Sequence, residues 1–487
     1  MAPNGTSRRN FLKASALSGV MYGAGASPAL LIEQAAAATE PARRPNIVLY
    51  CCDQMRSDFV GAYRENSRTQ TPNIDGLVAR GTAFQNAVTN QPLCSPSRAC
   101  MITGRYALET GEWKISMGMD TSLPTLATVL REAGYTANFI GKWHLMKADS
   151  KTHAGYGFVP PEQRHGFLDL WEGANEFEHT THPYYGTIWD QDGKEITYKD
   201  QYRVDFITER AVRFLRQPQE KPFLLFISQL EPHQQNDEKR MVAPNGYAER
   251  YKNPFVPASE RGLPGDWQEQ LPDYYGCIEK IDESVGTVLK TLEEQKLMEN
   301  TIFVFLSDHG CHFMTRNTEY KRSPHDSAIR IPLIFQGPGF QGPVRRDEIV
   351  SMIDLTPTLL AAAGATIPAS MKGQSLLPLL GPPVRRPDWD NVAYIQISES
   401  MVGRAIRTPE WCYCVADRTS DGTRQPGSTH YEEYQMYNLC DDPAQLVNLA
   451  GRKEYREQAA QLRALLKKRM VEAGEPEAEI TPARLYP

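Results

Sequence analysis

Ile47-Val48-Leu49-Tyr50-Cys51-Cys52-Asp53-Gln54 is an unbroken apolar run that stops abruptly on a carboxylate and an amide. A short run of this kind, with no polar alternation, reads as a strand covered on both faces, as in a parallel sheet. Similar runs recur at Ala137–Ile140, Phe223–Ser228, Ile302–Ser307 and Ile331–Phe335. Helical patterns separate them at Asn73–Arg80, Leu123–Ala133, Tyr274–Leu292 and Leu355–Ala363. This alternation predicts an α/β fold, a large mixed but mostly parallel sheet sandwiched by helices, over residues 45–384. Gly381–Pro387 is rich in Pro and Arg and reads as a linker. Beyond it, Asn391–Ile397 and Trp411–Ala416 suggest short strands and Ala450–Ala473 a long helix, so 385–487 is expected to form a smaller C-terminal α+β subdomain.

The strands end on chemistry. Asp53, Lys142, His233 and Asp308 each follow a strand candidate by a few residues. Ligands of open parallel sheets bind along the carboxyl ends of the strands, so these four residues are expected to converge on one cleft.

With 487 residues, 41% hydrophobic and 23% charged, the composition is that of a globular enzyme. The net charge of −6 gives no electrostatic reason to expect nucleic acid or an anionic membrane as partner. Nine cysteines in irregular spacing make a poor disulfide framework, and most read as small buried hydrophobes.

Cys94-Ser95-Pro96-Ser97-Arg98 is the strongest local motif, continuing to Met101-Ile102-Thr103-Gly104-Arg105. Pro96 suits the first position of a helix and Gly104 its end. Cys94 would then stand just before a helix N-terminus, where free N–H groups and the dipole favour an anion, with Arg98 four residues on. By pattern alone, the same features fit a buried cysteine at a turn.

The longer pattern resembles the signature of type I sulfatases, the formylglycine-dependent enzymes of the alkaline phosphatase superfamily. The resemblance runs from about residue 46 to 449. Thr71-Pro72-Asn73-Ile74-Asp75 and Gly141-Lys142-Trp143-His144 are similar to further family segments. The resemblance implies an alkaline-phosphatase-like fold and hydrolysis of sulfate monoesters. It implies that Cys94 is oxidised to Cα-formylglycine, whose hydrate attacks sulfur with one hydroxyl and expels sulfate with the other. It implies one divalent cation, usually calcium, held by Asp53, Gln54, Asp308, His309 and the side chain at 94. Gln54 replaces a common aspartate and His309 a common asparagine, which leaves magnesium and manganese open beside calcium. Arg98, Lys142 and Lys321 match the cations that bind sulfate and formylglycine. His144 matches the histidine that hydrogen-bonds the hydrate, and His233 the one that protonates the leaving alcohol. Trp143 is expected in the pocket wall. His179, His182, His312, His325, Arg316 and Arg404 read equally well as solvated loop residues and receive no role.

The N-terminal residues read as an export signal. Ser7-Arg8-Arg9-Asn10-Phe11-Leu12-Lys13, a weakly apolar stretch and Ala35–Ala38 form a twin-arginine signal peptide over 1–38. The expectation is a periplasmic or secreted protein that meets the twin-arginine machinery and a formylglycine-generating enzyme during maturation. A sulfated polysaccharide or oligosaccharide is the expected substrate. Two other readings stand beside this one: a phosphonate monoester or phosphodiester hydrolase of the same superfamily, and a glycan-binding protein with a retired site.

Overall fold

Every residue of the first strand is buried, as its uniform apolar run requires: β1 (Asn46–Asp53) runs parallel to β7 (Phe223–Pro232) on one side and β8 (Thr301–Ser307) on the other. The computed structural model describes residues 44–63, 68–380 and 389–486. The signal segment at 1–38 and the linker expected at 381–387 lie outside the described residues. Alternate β1 side chains point to opposite faces. Val48 and Tyr50 join a cluster with Tyr274, Ile278 and Ile281 of the Trp267–Glu294 helix. Ile47 and Leu49 join another with Leu126 and Leu130 of the Leu126–Glu132 helix and Leu359 of the Leu355–Ala362 helix. Each such fully buried aliphatic or aromatic side chain contributes about 1.5–3 kcal/mol, so the sheet is held from both sides.

The remaining strands of this sheet are β2 (Thr82–Val88), β3 (Thr136–Lys142), β4 (Trp171–Ala174), β5 (Tyr185–Asp190), β6 (Glu195–Lys199), β9 (Arg330–Ile331), β10 (Leu333–Gln336) and β11 (Val344–Ser351). Their order is β11-β2-β10-β8-β1-β7-β3-β4-β5-β6, with β9 paired to β2. The centre, β8-β1-β7-β3-β4, is parallel; β10 and the β5–β6 hairpin run antiparallel on the flanks. The run expected at Ile331–Phe335 is cut in two by Pro332, which has no N–H for the ladder. β5 and β6 escape a reading by apolar runs because they lie at the sheet edge with alternately exposed residues.

The C-terminal residues form a five-stranded sheet, β12 (Ala393–Ile397), β13 (Val402–Arg407), β14 (Trp411–Asp417), β15 (His430–Asn438) and β16 (Glu479–Thr481). Leu462, Leu466 and Met470 of the Arg456–Glu472 helix pack on its Tyr394, Ile406 and Tyr413. The helix is shorter than Ala450–Ala473, beginning only after a 3-10 turn at Lys453–Tyr455. Among the described residues no helix is long and apolar enough to cross a membrane.

Candidate active site

Because the central strands are parallel, Asp53, Lys142, His233 and Asp308 all emerge at one edge of the sheet, as their spacing predicts. The Cys94–Thr103 helix enters this edge, and all ten of its residues are buried. Its start differs from the sequence reading. Leu93 is the extended residue before the helix, so Cys94 is the first helical residue and Pro96 the third. The end is as expected: Gly104 adopts φ +63° and donates its N–H to Cys100 O at 2.9 Å.

Cys94 Sγ lies 2.8 Å from Lys321 Nζ, 3.2 Å from His309 Nε2 and 3.5 Å from Asp53 Oδ1. Burial alone would push this thiol up, but Lys142, Lys321 and His309, with His144 nearby, outweigh burial and hold it well below the usual thiol range. Arg98 reaches from the same helix to bind Asp308 Oδ2 at 3.0 Å and Asp53 Oδ2 at 3.5 Å, and donates to Ser228 Oγ at 2.6 Å. Lys142 Nζ bridges Asp53 at 2.8 Å and Glu178 at 3.0 Å. The two carboxylates respond differently. For Asp53, burial and Cys94 push its pKa up, but Lys142, His233 and Lys321 win and hold it below the ordinary value. For Asp308, burial and the nearby Asp53 prevail and raise it.

The donor atoms of Asp53, Cys94, Asp308 and His309 all lie within 4.8 Å of one another. His309 Nδ1–H donates to Gly310 O at 2.9 Å, which leaves Nε2 turned toward Asp53 and Cys94. Gln54, held at φ +72°, spends its Nε2 on Gln234 Oε1 at 2.8 Å, while its buried Oε1 has no hydrogen-bond partner. An orphaned buried carbonyl costs about 1–3 kcal/mol, and a hard cation would satisfy it. Two carboxylates, an amide oxygen and an imidazole nitrogen therefore fit one divalent ion.

His233 Nδ1–H donates to Gln234 O at 2.6 Å, and its Nε2 accepts from Lys321 Nζ at 3.1 Å. His144 Nε2 lies 3.1 Å from Glu176 Oε2. Burial disfavours its charged form, yet Glu176 beside it and Glu178 raise its pKa to about 10. The carboxylates Glu176 and Glu178 were not singled out in the sequence. They follow β4, which pairs with β3 so that Ala174 stands opposite Lys142. Recognising Trp171–Ala174 as a strand would have placed the loop after it at the same edge.

Two readings need correction. Trp143 is not pocket wall: it packs against Phe139, Phe167 and Trp171 in the core and donates to Gln163 O. Four of the residues left open as solvated are tied into the structure. His312 is buried and donates to Lys321 O at 2.9 Å, so it fixes the backbone behind that lysine. Buried His325 contacts Tyr437, Arg316 donates to Gln445 O and Ala444 O, and Arg404 pairs with Glu475. His179 is exposed and His182 half-buried. Among the other cysteines all are free, and only Cys440 is exposed.

Residues 45–365 match the model of the sulfatase family, and residues 318–472 match that of the N-sulphoglucosamine sulphohydrolase C-terminal region. The chain belongs to the sulfatase family. It is thus a hydrolase of sulfate esters. It is 30% identical over 454 residues to the ulvan-active sulfatase of Formosa agariphila, covering 89% of this chain and 82% of that one. It is 25% identical to the N-acetylglucosamine-6-O-sulfatase of Bacteroides thetaiotaomicron, covering 88% and 86%. In fold it is similar to a solved structure bound to its substrate D-glucosamine-2-N,6-O-disulfate, with a TM-score of 0.71 at 23% identity, covering 89% of this chain and 98% of that one. A structure from work on glycosaminoglycan metabolism by B. thetaiotaomicron gives 0.76 at 23% identity, covering 89% and 97%. The large, mostly parallel sheet covered by helices that the alternation of strands and helices predicts is therefore the fold that these solved structures share.

Proposed function

We propose that this sulfatase removes sulfate from a carbohydrate outside the cytoplasm, using formylglycine made from Cys94 and one calcium ion. The observation that carries the reading is the convergence on Cys94 Sγ of Lys321, His309 and Asp53 within 3.5 Å, with Lys142 and Arg98 directly behind Asp53. The trigonal-bipyramidal transition state of sulfuryl transfer, in which negative charge builds on the departing oxygen, needs such a cation clamp. Relatives whose names specify ulvan and N-acetylglucosamine-6-sulfate support the carbohydrate class. The Arg8-Arg9 segment supports twin-arginine export to the periplasm or beyond, with a formylglycine-generating enzyme acting first.

In this reading Asp53, Gln54, Asp308 and His309, with the side chain at 94, hold the cation. When bound, the cation neutralises charge and lowers the pKa of an oxygen at position 94. Arg98 fixes Asp53 and Asp308. Lys142 and Lys321 take the non-bridging sulfate oxygens and the nucleophile's side chain. His144, kept charged by Glu176, donates a hydrogen bond to the group at 94. His233, with Nδ1–H committed to Gln234, offers Nε2 to the departing oxygen and carries the proton to it.

Two results follow. His233→Ala is expected to lower kcat/KM by about 10²–10⁴-fold on a sugar sulfate. The loss should be far smaller on 4-nitrophenyl sulfate, whose leaving group needs no proton; steady-state kinetics on both esters reads the difference. Dialysis against EDTA should abolish turnover, and calcium should restore it better than magnesium or manganese. Gln54→Asp should tighten calcium by returning a charge to the site, measured as the calcium concentration that restores half the activity.

A second reading, phosphonate monoester or phosphodiester hydrolysis, is favoured by Gln54 and His309 at the cation site, where the family more often has aspartate and asparagine. Turnover of 4-nitrophenyl sulfate against 4-nitrophenyl phenylphosphonate decides: the sulfatase reading requires the sulfate ester to be the faster by kcat/KM. The retired glycan-binding reading would require that Cys94→Ala leave the protein's effect intact.

A further inference from the structure

The β5–β6 hairpin carries surface chemistry that the hydrolysis of a single sulfate ester does not use. Its two strands pair in register, Tyr185 opposite Lys199, Gly186 opposite Tyr198 and Thr187 opposite Thr197. With side chains alternating between faces, Tyr185, Thr187, Thr197 and Lys199 share the outer face. Buried Tyr198 and Ile188 lie on the other, in the core. The outer face opens on a cavity of about 590 Å³ lined also by Tyr184 and Asp200.

Tyr185 is 56% exposed, unusual for so large an aromatic side chain, yet it is held in place. The His182 ring stacks on it at a centroid distance of 4.4 Å with the planes 18° apart. His182 N–H donates to Tyr185 O at 2.7 Å. Gly186 lies against Thr181, where a Cβ would come within 2.6 Å of Thr181 Cα. The anchoring continues to the reacting centre. Gln235, two residues beyond His233, donates through Nε2 to His182 Nδ1 at 3.4 Å and to Glu178 O at 3.0 Å. Asp237 Oδ2 lies 3.3 Å from His182 Nδ1. The hairpin is thus tied to the loop that carries the leaving-group histidine and to the backbone of Glu178, whose carboxylate holds Lys142.

We propose that the outer face of the β5–β6 hairpin is a second carbohydrate subsite, taking a neighbouring sugar of an anionic oligosaccharide against Tyr185, with Lys199 facing its acidic group. The chemistry matches that ligand class. A rigid aromatic ring packs on the C–H face of a pyranose. The hydroxyls of Thr187 and Thr197 and the Asp200 carboxylate exchange hydrogen bonds with sugar hydroxyls. Lys199 makes no ion pair among the described residues and supplies the cation. This subsite rests on the carbohydrate reading above and makes the enzyme one that prefers chains over single sugars.

The test titrates the full protein calorimetrically with sulfated di- and tetrasaccharides prepared from ulvan and from heparin, and measures hydrolysis of the same sugars and of 4-nitrophenyl sulfate. The wild type should bind one of the tetrasaccharides more tightly than its disaccharide. Tyr185→Ala should weaken that tetrasaccharide about threefold to tenfold, largely erasing the gain from chain length, with kcat/KM for 4-nitrophenyl sulfate unchanged. Tyr185→Phe should retain the gain, and Lys199→Ala should lose part of it and flatten its salt dependence. A wild type that hydrolyses the disaccharide but binds the tetrasaccharide no more tightly overturns the subsite and leaves the carbohydrate reading standing. Equal tetrasaccharide affinity in wild type and Tyr185→Ala does the same. A wild type that turns over 4-nitrophenyl sulfate and neither binds nor hydrolyses any of these sugars overturns both.

Discussion

Cys94→Ala is expected to lower kcat for 4-nitrophenyl sulfate by about 10⁴-fold or more, the scale of losing the nucleophile of a covalent enzyme. The fold should tolerate the change. The side chain is small and buried at the first position of a helix whose remaining turns are themselves buried, so its removal opens at most a thiol-sized space. What it removes is the one group that Lys321, His309 and Asp53 jointly surround. Kinetics and a thermal melt of the same variant separate the two quantities: activity falls to background while the melting temperature stays near that of the wild type.

Arg98→Ala should behave differently, losing activity and stability together. Arg98 is buried, its side chain 2% exposed, and pairs with both Asp53 and Asp308. Without it Asp53 keeps Lys142 and the His309 ring, while Asp308 keeps the His309 ring at 3.6 Å and the backbone N–H groups of Gln54 and His309, with no ammonium or guanidinium in contact. Removing one partner of a buried ion pair costs about 3–5 kcal/mol. Chemical denaturation is therefore expected to show a loss of that order, alongside turnover reduced to that of Cys94→Ala. Arg98→Lys should recover part of the stability but little activity. An ammonium cannot make the forked contacts to Asp308 Oδ2, Ser228 Oγ and Lys142 O at once. Unchanged stability in Arg98→Ala would contradict the role given to this residue.

The central strands were legible because burial on both faces leaves an uninterrupted apolar run, as in β1, β7 and β8. The edge strands β5 and β6 were not, since half of their side chains face water and the apolar signal is diluted. β4 is fully buried but only four residues long, and Glu172 and Gly173 interrupt its apolar run, which hid it and with it Glu176 and Glu178. The cluster around Cys94 was readable for the residues that follow readable strands, Asp53, Lys142, His233 and Asp308, and for those whose motif is long, Cys94 and Arg98. Lys321 follows no strand; the structure nevertheless sets its ammonium 2.8 Å from Cys94 Sγ, with its backbone held by His312. Trp143, expected in the pocket wall, does not share the direction of its neighbours Lys142 and His144. Both neighbours lie in the charged cluster, and the backbone there turns sharply, with His144 at φ +63°. The indole points the other way, into the aromatic cluster of Phe139 and Trp171.

The formation of an aldehyde at position 94 is the claim on which the chemistry depends, and mass spectrometry of the peptide that spans residues 94–98 reads it directly. In protein purified from a host that matures such enzymes, that peptide should be about 18 Da lighter than its encoded sequence, in a proportion that tracks the specific activity of the preparation. A fully active preparation in which Cys94 is an unmodified thiol would contradict the account.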